Sequence, residues 1–388
     1  MKVLFISNLF PDSREDYRGQ DNANLLHRLS AHCEVRALST RPCLPSFHPR
    51  SFVPREKDVG LHPEFIPYYY IPKVGSLFNH LLYFYSTRPT IRRLVSEFFP
   101  DVILSSWSFP DSCAISMMTK AWNLPLVSIC QGSDVHMYME FPLRSQVIRA
   151  NLVNADRIIP RSHKLGKILV DAGFAPAQVK PVYNGVDTSI FCHADKAASK
   201  AALKLDPDAV HLLYVGNFFT VKNPSLLVRS LALAQDALPE KTIKLVMIGE
   251  GYLEESLKGL VGELGLGESV TFHGRKGPAG VAKFMQASDL LCIPSFNEGL
   301  PNVLLEALSC GLPVVSTDVG GIGEVLNDPA CGSLVPSHEP SCYAAAIIHQ
   351  LQMAVDPAYI INFSKRFSWD ETVLTYFQIL KDAVSVRT

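Results

Sequence analysis

The sequence predicts an α/β protein made of two doubly wound parallel sheets. At 388 residues the chain is long enough for two domains, each with its own core. Short apolar runs rich in β-branched residues alternate with longer segments of helical periodicity, which is the pattern of βαβ units. This alternation pauses at a polar interval and then starts again. We therefore expect two domains with a cleft between them.

The first series of apolar runs predicts the strands of an N-terminal domain. These runs are 2–7, 33–39, 101–106, 125–130, 156–160 and 179–183. Helical patterns lie between them, at 20–32, 111–122 and 162–173. Strands separated by helices pair in parallel, and ligands of such sheets bind at the carboxyl ends of the strands.

A polar interval rich in Ala and Lys, 194–208, predicts a surface connection, so the boundary should fall within 184–209. The second series of predicted strands is 210–216, 242–249, 269–274, 289–294 and 312–317. We assign 1–190 to the first domain and 191–365 to the second. The final segment, 368–384, has helical periodicity, and we expect 366–388 to cross back onto the first domain.

Composition excludes several classes of protein. The 36 Lys and Arg residues nearly balance the 37 Asp and Glu residues, so no global field attracts nucleic acid. The nine cysteines show no C-x-x-C spacing and read as reduced residues. Neither a signal peptide nor an apolar run of membrane-spanning length is evident. We expect a cytoplasmic protein.

The segment 61–95 is rich in aromatic residues and open to two interpretations. Its basic residues Lys73, Arg88, Arg92 and Arg93 have no acidic residue beside them between 65 and 96. The stretch 65–95 could lie peripherally on the inner face of a membrane, with its cations against lipid phosphates. The alternative is a core helix that follows a long loop.

The segment 297–317 predicts an anion site. Pro301 suits the start of a helix because its fixed φ fits there and its missing N–H is not needed. Backbone N–H groups of Asn302 and Val303 would point out of that helix start, and the helix dipole favours negative charge there. A phosphate is the expected ligand, with Gly299 and Leu300 in the loop before it.

Two carboxylates bracket this helix start. Glu298 follows the strand 289–294, and Glu306 should lean back along the helix towards its N-terminus. Carboxylates accept strong hydrogen bonds from sugar hydroxyls, so a nucleotide diphosphate sugar offers matching parts in order. Both could instead be solvated, although Glu306 stands among apolar residues where that is less expected.

The stretch NEGLPNVLLEALSCGLPVVST, at 297–317, resembles the paired-Glu signature of the family-four, group 1 retaining glycosyltransferases. The resemblance implies the GT-B fold, in which two Rossmann-like domains face each other across a cleft. It also implies that Glu306 binds the nucleotide ribose and that Glu298 contacts the donor sugar. The segments 183–191 and 318–326 resemble further motifs of that family.

A second match supplies a cation. The run 214–232 resembles the family loop whose Lys neutralises the donor diphosphate, and here that residue is Lys222. Gly216 and Asn217 belong to the same donor-binding loop, and Asn217 stands where the family usually has Arg. The base-binding backbone should lie near 272–275, where Arg275 is a further candidate cation.

The first domain departs more from the family pattern. Its loop 8–24 contains only Gly19 before the helix, where backbone could approach a ligand. In 125–140, Gln131 replaces the family's donor-site His, while Asp134 keeps its place as an acceptor-side catalytic candidate. His136 is a candidate acid or base, with a structural role as the alternative.

The resemblance implies transfer with retention from a nucleotide diphosphate sugar to a hydroxyl acceptor, with the leaving phosphate helping to deprotonate that hydroxyl. We expect no metal and no cofactor, because the D-x-D at 206–208 lies in the surface connection. The expected acceptor is lipid-linked or a growing cell-surface polysaccharide, and a small soluble acceptor is the alternative. A sugar-nucleotide binding protein without catalysis and a nucleotide-sugar epimerase on the same fold are rival functions.

Overall fold

The computed structural model describes residues 1–44, 52–72 and 77–387. The chain forms two compact units. The N-terminal unit comprises Met1–Asn184 and Trp369–Thr388, and the C-terminal unit is Gly185–Ser368. The boundary between Asn184 and Gly185 therefore lies at the start of the interval 184–209, a few residues before the predicted boundary after residue 190.

Each unit is built on one six-stranded sheet in which every pairing is parallel. The N-terminal strands are β1 Lys2–Ser7, β2 Glu34–Cys43, β3 Glu64–Tyr69, β4 Val102–Ser106, β5 Leu126–Cys130 and β6 Arg157–Pro160, in the order β3-β2-β1-β4-β5-β6. The C-terminal strands are β7 Val210–Val215, β8 Ile243–Ile248, β9 Val270–Phe272, β10 Leu290–Ile293, β11 Val314–Thr317 and β12 Gly332–Val335, in the order β12-β11-β10-β7-β8-β9.

The α-helices connect these strands in chain order. They are α1 Gln20–Leu29, α2 Asn79–Phe98, α3 Cys113–Trp122, α4 Ser133–Met139, α5 Pro142–Leu152, α6 His163–Asp171, α7 Lys196–Ala202, α8 Pro224–Ala237, α9 Glu254–Glu263, α10 Pro278–Ala287, α11 Asn302–Ser309, α12 Ile322–Val325, α13 Pro340–Gln352, α14 Pro357–Ser364 and α15 Trp369–Ser385. The last of them belongs to the N-terminal unit, where it packs against α1.

The N-terminal sheet is buried on both faces. Leu4 and Ile6 of β1 lie in a core with residues of α2, α3, α5 and α6. Val3 and Phe5 point to the other face, where they pack with α1 and α15. Neighbouring residues of a strand point to opposite faces, so a continuous apolar run predicts a strand that is covered on both sides.

Helix α2 shows how the segment 61–95 folds. One face of α2 is buried in the core, with Tyr83, Ile91 and Leu94 fully covered, as the core-helix interpretation expects. The interval 65–96 contains no acidic residue, but Arg93 forms ion pairs with Glu64 and Glu97, just outside it. Lys73 lies outside the described residues.

Two strands escaped prediction, and both lie at sheet edges. The strand β3 contains Pro67, which argues against a central strand but is tolerated at an edge where no ladder N–H is needed. The strand β12 is only four residues long and starts at Gly332. Neither has the apolar run of a buried central strand.

Two sequence-based assignments need correction. The interval 179–183 is no strand, because only Val179 forms a bridge, to Ile158, and Pro181 lacks an N–H. The interval 194–208 is not only a connection, since it contains α7, whose N-terminus is capped by the Asp195 side chain. The carboxylate of Asp195 accepts the N–H of Ala198 at 2.7 Å.

Within the described parts of the chain, every helix is too short or too polar to meet the requirements for a bilayer-spanning segment. Six of the nine cysteines are buried.

We predict that α15 stabilises the N-terminal unit through its buried face. Replacing Leu380, which is fully buried between α15 and the sheet, with Ala should lower the free energy of unfolding by about 2–5 kcal/mol. Leu374 lies on the same helix but is 52% exposed, so Leu374→Ala is the matched control and should change stability little. Guanidinium denaturation followed by tryptophan fluorescence measures both. Equal losses for the two variants would contradict this packing role.

Candidate functional site

The C-terminal sheet changes its winding direction between β7 and β10. From β7 the chain adds β8 and β9 on one side, and then returns to place β10 and β11 on the other. The loops that follow β7 and β10 therefore diverge at the carboxyl edge of the sheet, and such a switch point is where doubly wound sheets bind ligands. Lys222 follows β7 and Glu298 follows β10.

Lys222 and Glu298 meet at this switch point. The Lys222 ammonium lies 2.7 and 2.8 Å from the two carboxylate oxygens of Glu298. The Glu298 side chain is 9% exposed and that of Lys222 29% exposed, so solvent reaches the pair mainly from the lysine side. The structure thus brings together two residues to which the resemblance gives separate roles, and their charges neutralise each other.

The loop that carries Glu298 is held by Ser295 and by the loop after β11. Ser295 Oγ donates to Glu298 Oε1 at 2.7 Å. Gly320 has a φ of 57°, and a Cβ there would lie 2.0 Å from the Glu298 carbonyl oxygen, so only glycine permits this approach. Gly321 N–H donates to the Gly299 carbonyl at 2.6 Å. The loop after β11, which contains the family-like segment 318–326, therefore fixes the position of Glu298.

Helix α11 begins directly after this loop. Pro301 is extended and Asn302 is the first helical residue, so the helix starts one residue later than predicted. Leu300, in the loop before the helix, is buried. Asn302, Val303 and Glu306 are all partly exposed, and positions three and four apart share one helix face. Glu306 therefore lies one turn after the start of the helix, on the same face as Asn302 and Val303.

The other predicted donor residues follow β7 and β9. Gly216 lies against the Tyr214 hydroxyl, which donates to the Asn217 carbonyl at 2.9 Å. The Asn217 side chain is exposed. Arg275 lies beyond β9, where its N–H donates to Glu250 Oε1 at 3.3 Å and its Nε is 3.9 Å from Glu250 Oε2. These residues lie along the same edge of the sheet as Lys222.

The N-terminal sheet has its switch point between β1 and β4, and Asp134 lies near that edge. Asp134 is fully buried, and burial raises the pKa of its carboxyl, while backbone N–H groups, three of them on other residues, oppose that shift. Those N–H groups belong to Ser108, at 2.7 Å, and to Gln131 and Gly132, at 2.9 and 2.8 Å. Asp134 thus joins the loops after β4 and β5. Its contact with an acceptor stays a prediction.

Gln131 is held by polar side chains at the same edge. Its Oε1 accepts from Arg161 Nε at 3.3 Å, and its Nε2 donates to Asn22 Oδ1 at 3.1 Å and to Ser106 Oγ at 2.8 Å. His136 is half-buried on α4, and burial lowers its pKa, so its imidazole is neutral near pH 7. An acid or base role for His136 stays a prediction.

The loop between β1 and α1 is pinned by contacts that the sequence does not reveal. Asp111, fully buried after β4, accepts from Asn8 Nδ2 at 2.6 Å and from the Asn8 N–H at 3.2 Å. Arg41 donates to the Asn8 carbonyl and to buried Asp12, both at 2.8 Å. The only sequence signal was that Asn8 and Asp111 follow predicted strands, where polar residues can meet at one edge.

Gly19 marks the end of this loop. Its φ is 63°, and a Cβ there would lie 2.3 Å from the carbonyl of Leu9. The loop therefore folds back tightly onto the start of α1, as only glycine allows.

Among the described residues, no cluster of three His, Cys, Asp or Glu side chains could hold a metal ion. The D-x-D segment forms a local turn in which the Asp208 N–H donates to Asp206 Oδ1 at 3.0 Å.

Family comparisons cover both units. The model of the glycosyl transferases group 1 matches residues 195–367, and the model of Glycosyltransferase Family 4 matches residues 23–190. A D-inositol 3-phosphate glycosyltransferase 2 of Catenulispora acidiphila is 30% identical over 294 residues, which cover 69% of this chain and 68% of that protein. This chain belongs to the family-four, group 1 glycosyltransferases. The family predicted from the segment 297–317 is confirmed.

A further relative of this group 1 chain is the D-inositol 3-phosphate glycosyltransferase of Mycolicibacterium gilvum, which is 33% identical over 276 residues. That match covers 69% of this chain and 61% of the relative. The chain spans about three fifths of the length of such curated relatives.

Solved structures share the fold of this group 1 chain. HepE of Anabaena, determined in complex with UDP, superposes with a TM-score of 0.77 at 18% identity, covering 98% of this chain and all of that one. Sucrose-phosphate synthase of Thermosynechococcus elongatus gives a TM-score of 0.75 at 21% identity, with full coverage of both chains. The prediction of a GT-B fold with two Rossmann-like domains is confirmed.

Asp111 predicts a pH dependence of stability. Burial raises the pKa of its carboxyl to about 7 from an ordinary value of 3.8. Between these values the folded state binds the extra proton, so raising the pH lowers the free energy of unfolding. Asp111→Asn cannot ionise and should remove this loss, which is about 4 kcal/mol at most for a shift of roughly three pH units.

Guanidinium denaturation of both proteins between pH 4.5 and 8 measures the difference. The wild type should lose stability relative to Asp111→Asn as the pH rises through this window. Parallel pH profiles for the two proteins would show that Asp111 does not titrate as described.

Proposed function

We propose that this chain is a retaining glycosyltransferase that moves a sugar from a nucleotide diphosphate sugar to a hydroxyl acceptor without a metal ion. The observation that carries the proposal is the arrangement at the C-terminal switch point. Lys222 and Glu298 lie in contact there, and α11 begins after the same loop with Glu306 on its partly exposed face. Family membership and the UDP held by HepE support a nucleotide sugar as the donor.

In the proposed mechanism each group has a separate task. The N–H groups at the start of α11 and the Lys222 ammonium stabilise the diphosphate as negative charge develops on it in the transition state. Glu306 accepts hydrogen bonds from the ribose diol, and Glu298 accepts them from the donor sugar. The leaving phosphate takes the proton of the acceptor hydroxyl, which attacks the same face of the sugar. Asp134 fixes the acceptor-side loops in this scheme.

The proposed acceptor is lipid-linked or a growing cell-surface polysaccharide, approached from the inner membrane face. Support comes from α2, where Phe78, directly before the helix, is 61% exposed and Tyr85 is 73% exposed. Arg88 and Arg92 are exposed on the same helix, and the Arg88 guanidinium lies 5.4 Å from the centre of the Phe84 ring. A small phosphorylated polyol is a second candidate, because the curated relatives are named for D-inositol 3-phosphate.

A donor and acceptor panel tests the proposed activity. We expect sugar transfer, as distinct from donor hydrolysis, from one nucleotide sugar and only when membrane extract or inositol phosphate is present. Proton NMR of the product should show the same anomeric configuration as in the donor. Activity should persist in EDTA, because Lys222 and the α11 start would supply the positive charge. Donor conversion without any acceptor would identify an epimerase, and nucleotide affinity without turnover would identify a binding protein.

Replacing Glu306 and replacing Glu298 should have different effects on UDP binding and on sugar transfer. Glu306→Gln should bind UDP about 10- to 100-fold more weakly, because it loses charge-assisted hydrogen bonds to the ribose. Glu298→Gln should bind UDP at least as tightly as the wild type, because Lys222 is released from its ion pair, while transfer falls by at least tenfold.

Glu263→Gln, on the exposed end of α9, is the matched control and should leave both quantities unchanged. Isothermal titration calorimetry with UDP and a radiolabelled transfer assay give the two readouts. If Glu298→Gln weakened UDP binding as much as Glu306→Gln, the separation of roles would be wrong.

A further inference from the structure

Four exposed apolar side chains lie in neighbouring loops at the carboxyl edge of the C-terminal sheet. Tyr252 follows β8 and Phe296 follows β10, and they are 70% and 48% exposed. Phe219 and Val221 lie between them, after β7, and are 38% and 44% exposed. Single exposed apolar residues are common on protein surfaces, but a group of them in adjoining loops marks an interaction surface.

Tyr252 and Phe219 form a stacked pair. Their ring centres are 5.2 Å apart, and the ring planes differ by 11°. The stack covers one face of the Tyr252 ring, yet most of the residue stays exposed, so its other face is open to solvent. That open face has room for a ligand.

Hydrogen bonds fix the position of this exposed tyrosine. The Thr220 N–H donates to the Tyr252 hydroxyl at 3.0 Å, and Thr220 Oγ1 lies 2.8 Å from the same hydroxyl. Main-chain bonds also join the two loops, from the Phe218 N–H to the Glu250 carbonyl and from the Leu253 N–H to the Phe218 carbonyl. A ring that is held before its ligand arrives loses little conformational entropy on binding.

Phe296 supplies a second exposed ring, in the loop after β10. Its N–H donates to the Val221 carbonyl at 2.9 Å, which joins this loop to the residue before Lys222. The ring packs against His338, with 4.7 Å between the ring centres. His338 is held in turn, because its Nε2 donates to the Ser295 carbonyl at 3.2 Å. Two fixed aromatic rings therefore lie in the loops beside the Lys222–Glu298 pair.

A sugar ring matches the chemistry of such a surface. The chain belongs to the glycosyltransferases, whose substrates are sugars, and a pyranose carries C–H groups on its faces. The face of an aromatic ring is electron-rich and attracts those C–H groups. The two rings carry no charge, which suits a neutral sugar better than a phosphate.

The separation of the two rings indicates more than one sugar. Neighbouring strands lie about 4.8 Å apart, so the loops after β8 and β10, with β7 between them, start about 10 Å apart. A single pyranose does not span that separation, whereas two linked rings do. The donor brings one transferred sugar, which the proposed function gives to Glu298, so a chain of sugars belongs to the acceptor.

We infer that Tyr252 and Phe296 are two stacking platforms for the acceptor, and that this acceptor is a saccharide chain of at least two sugar rings. The role of the chain as acceptor rests on the proposed function, and it selects the growing polysaccharide over the small phosphorylated polyol. Both platforms determine specificity, because they contact the sugar chain and take no part in the transfer of its proton.

Binding of sugar chains to the full-length protein tests the platforms without requiring turnover. The probes are the saccharides that mild acid releases from the membrane extract, sorted by length, and saturation-transfer NMR measures their binding with and without UDP. Chains of two or more rings should bind more tightly than single rings. Tyr252→Ala and Phe296→Ala should each weaken that binding about 3- to 10-fold, the size expected for one lost ring contact.

Tyr359→Ala is the matched control, because Tyr359 is 49% exposed on α14, outside the loops after β7, β8 and β10. It should leave saccharide binding unchanged. Tyr252→Phe keeps the ring that stacks on Phe219 and should bind nearly as well as the wild type. Near-UV circular dichroism checks that each variant is folded. Should Tyr252→Ala fail to fold, Tyr252→Leu keeps an apolar side chain without a flat face and should lose binding in its place.

A transfer assay separates the platforms from the donor site. In the two Ala variants the KM for the saccharide acceptor should rise about 3- to 10-fold, while kcat and UDP affinity stay at their wild-type values. A protein that transfers no sugar at all would refute the proposed function and leave the saccharide-binding measurement valid.

The inference is overturned if the wild type binds none of the chains, if both Ala variants bind them as tightly as the wild type, or if Tyr252→Ala weakens UDP binding instead. Loss of binding to phosphatidylglycerol vesicles with unchanged saccharide binding would identify a membrane surface. Loss of a dimer in analytical ultracentrifugation with unchanged saccharide binding would identify a contact between two copies of the chain. Either of these results contradicts the inference.

Discussion

The winding of each parallel sheet is the constraint on which the rest of this molecule depends. Parallel strands end at one edge, and helices cover both faces of the sheet, so that edge is where side chains can meet a ligand. Where the winding reverses, neighbouring loops diverge and leave backbone N–H groups and side chains uncovered. Lys222 and Glu298 occupy the reversal in one unit, and Asn8 and Asp111 occupy it in the other.

The two switch points differ in the burial and the hydrogen bonding of their charged groups. In the C-terminal unit a partly exposed ion pair stands before a helix start, so charge is available to a ligand that can exchange one partner for another. In the N-terminal unit the corresponding groups are buried and form hydrogen bonds within the protein. Asp111 accepts from Asn8, and Asp134 accepts from three backbone N–H groups. Arg161 departs from that rule, since its Nη2 is buried and has no hydrogen-bond partner among the described residues, although its Nε donates to Gln131.

Close packing explains why small residues matter at the C-terminal edge. Gly320 lies against the carbonyl of Glu298, and the Gly321 N–H bonds to the next carbonyl along the same loop. A side chain at position 320 would push the loop away and move the carboxylate with it. The loop after β11 thus sets the geometry of the acid that follows β10, although it supplies no charge of its own to that contact.

The sequence by itself determined the features that depend on local pattern. The central strands follow from apolar runs, and the start of α11 follows, within one residue, from Pro301. The spacing of Glu298 and Glu306 gave the family, because both belong to one contiguous segment. The edge strands β3 and β12 were missed, since edge positions tolerate Pro67 and a short, glycine-led strand.

Only the tertiary structure decided which distant residues touch. Asn8 and Asp111 lie 103 positions apart, Lys222 and Glu298 lie 76 apart, and Arg161 and Tyr376 lie 215 apart. No periodicity or propensity carries such pairings, because they arise when separate strand ends arrive at one edge of a sheet. The local sequence pattern therefore determines the strands and helices, and the packing of those elements determines which charged side chains become partners.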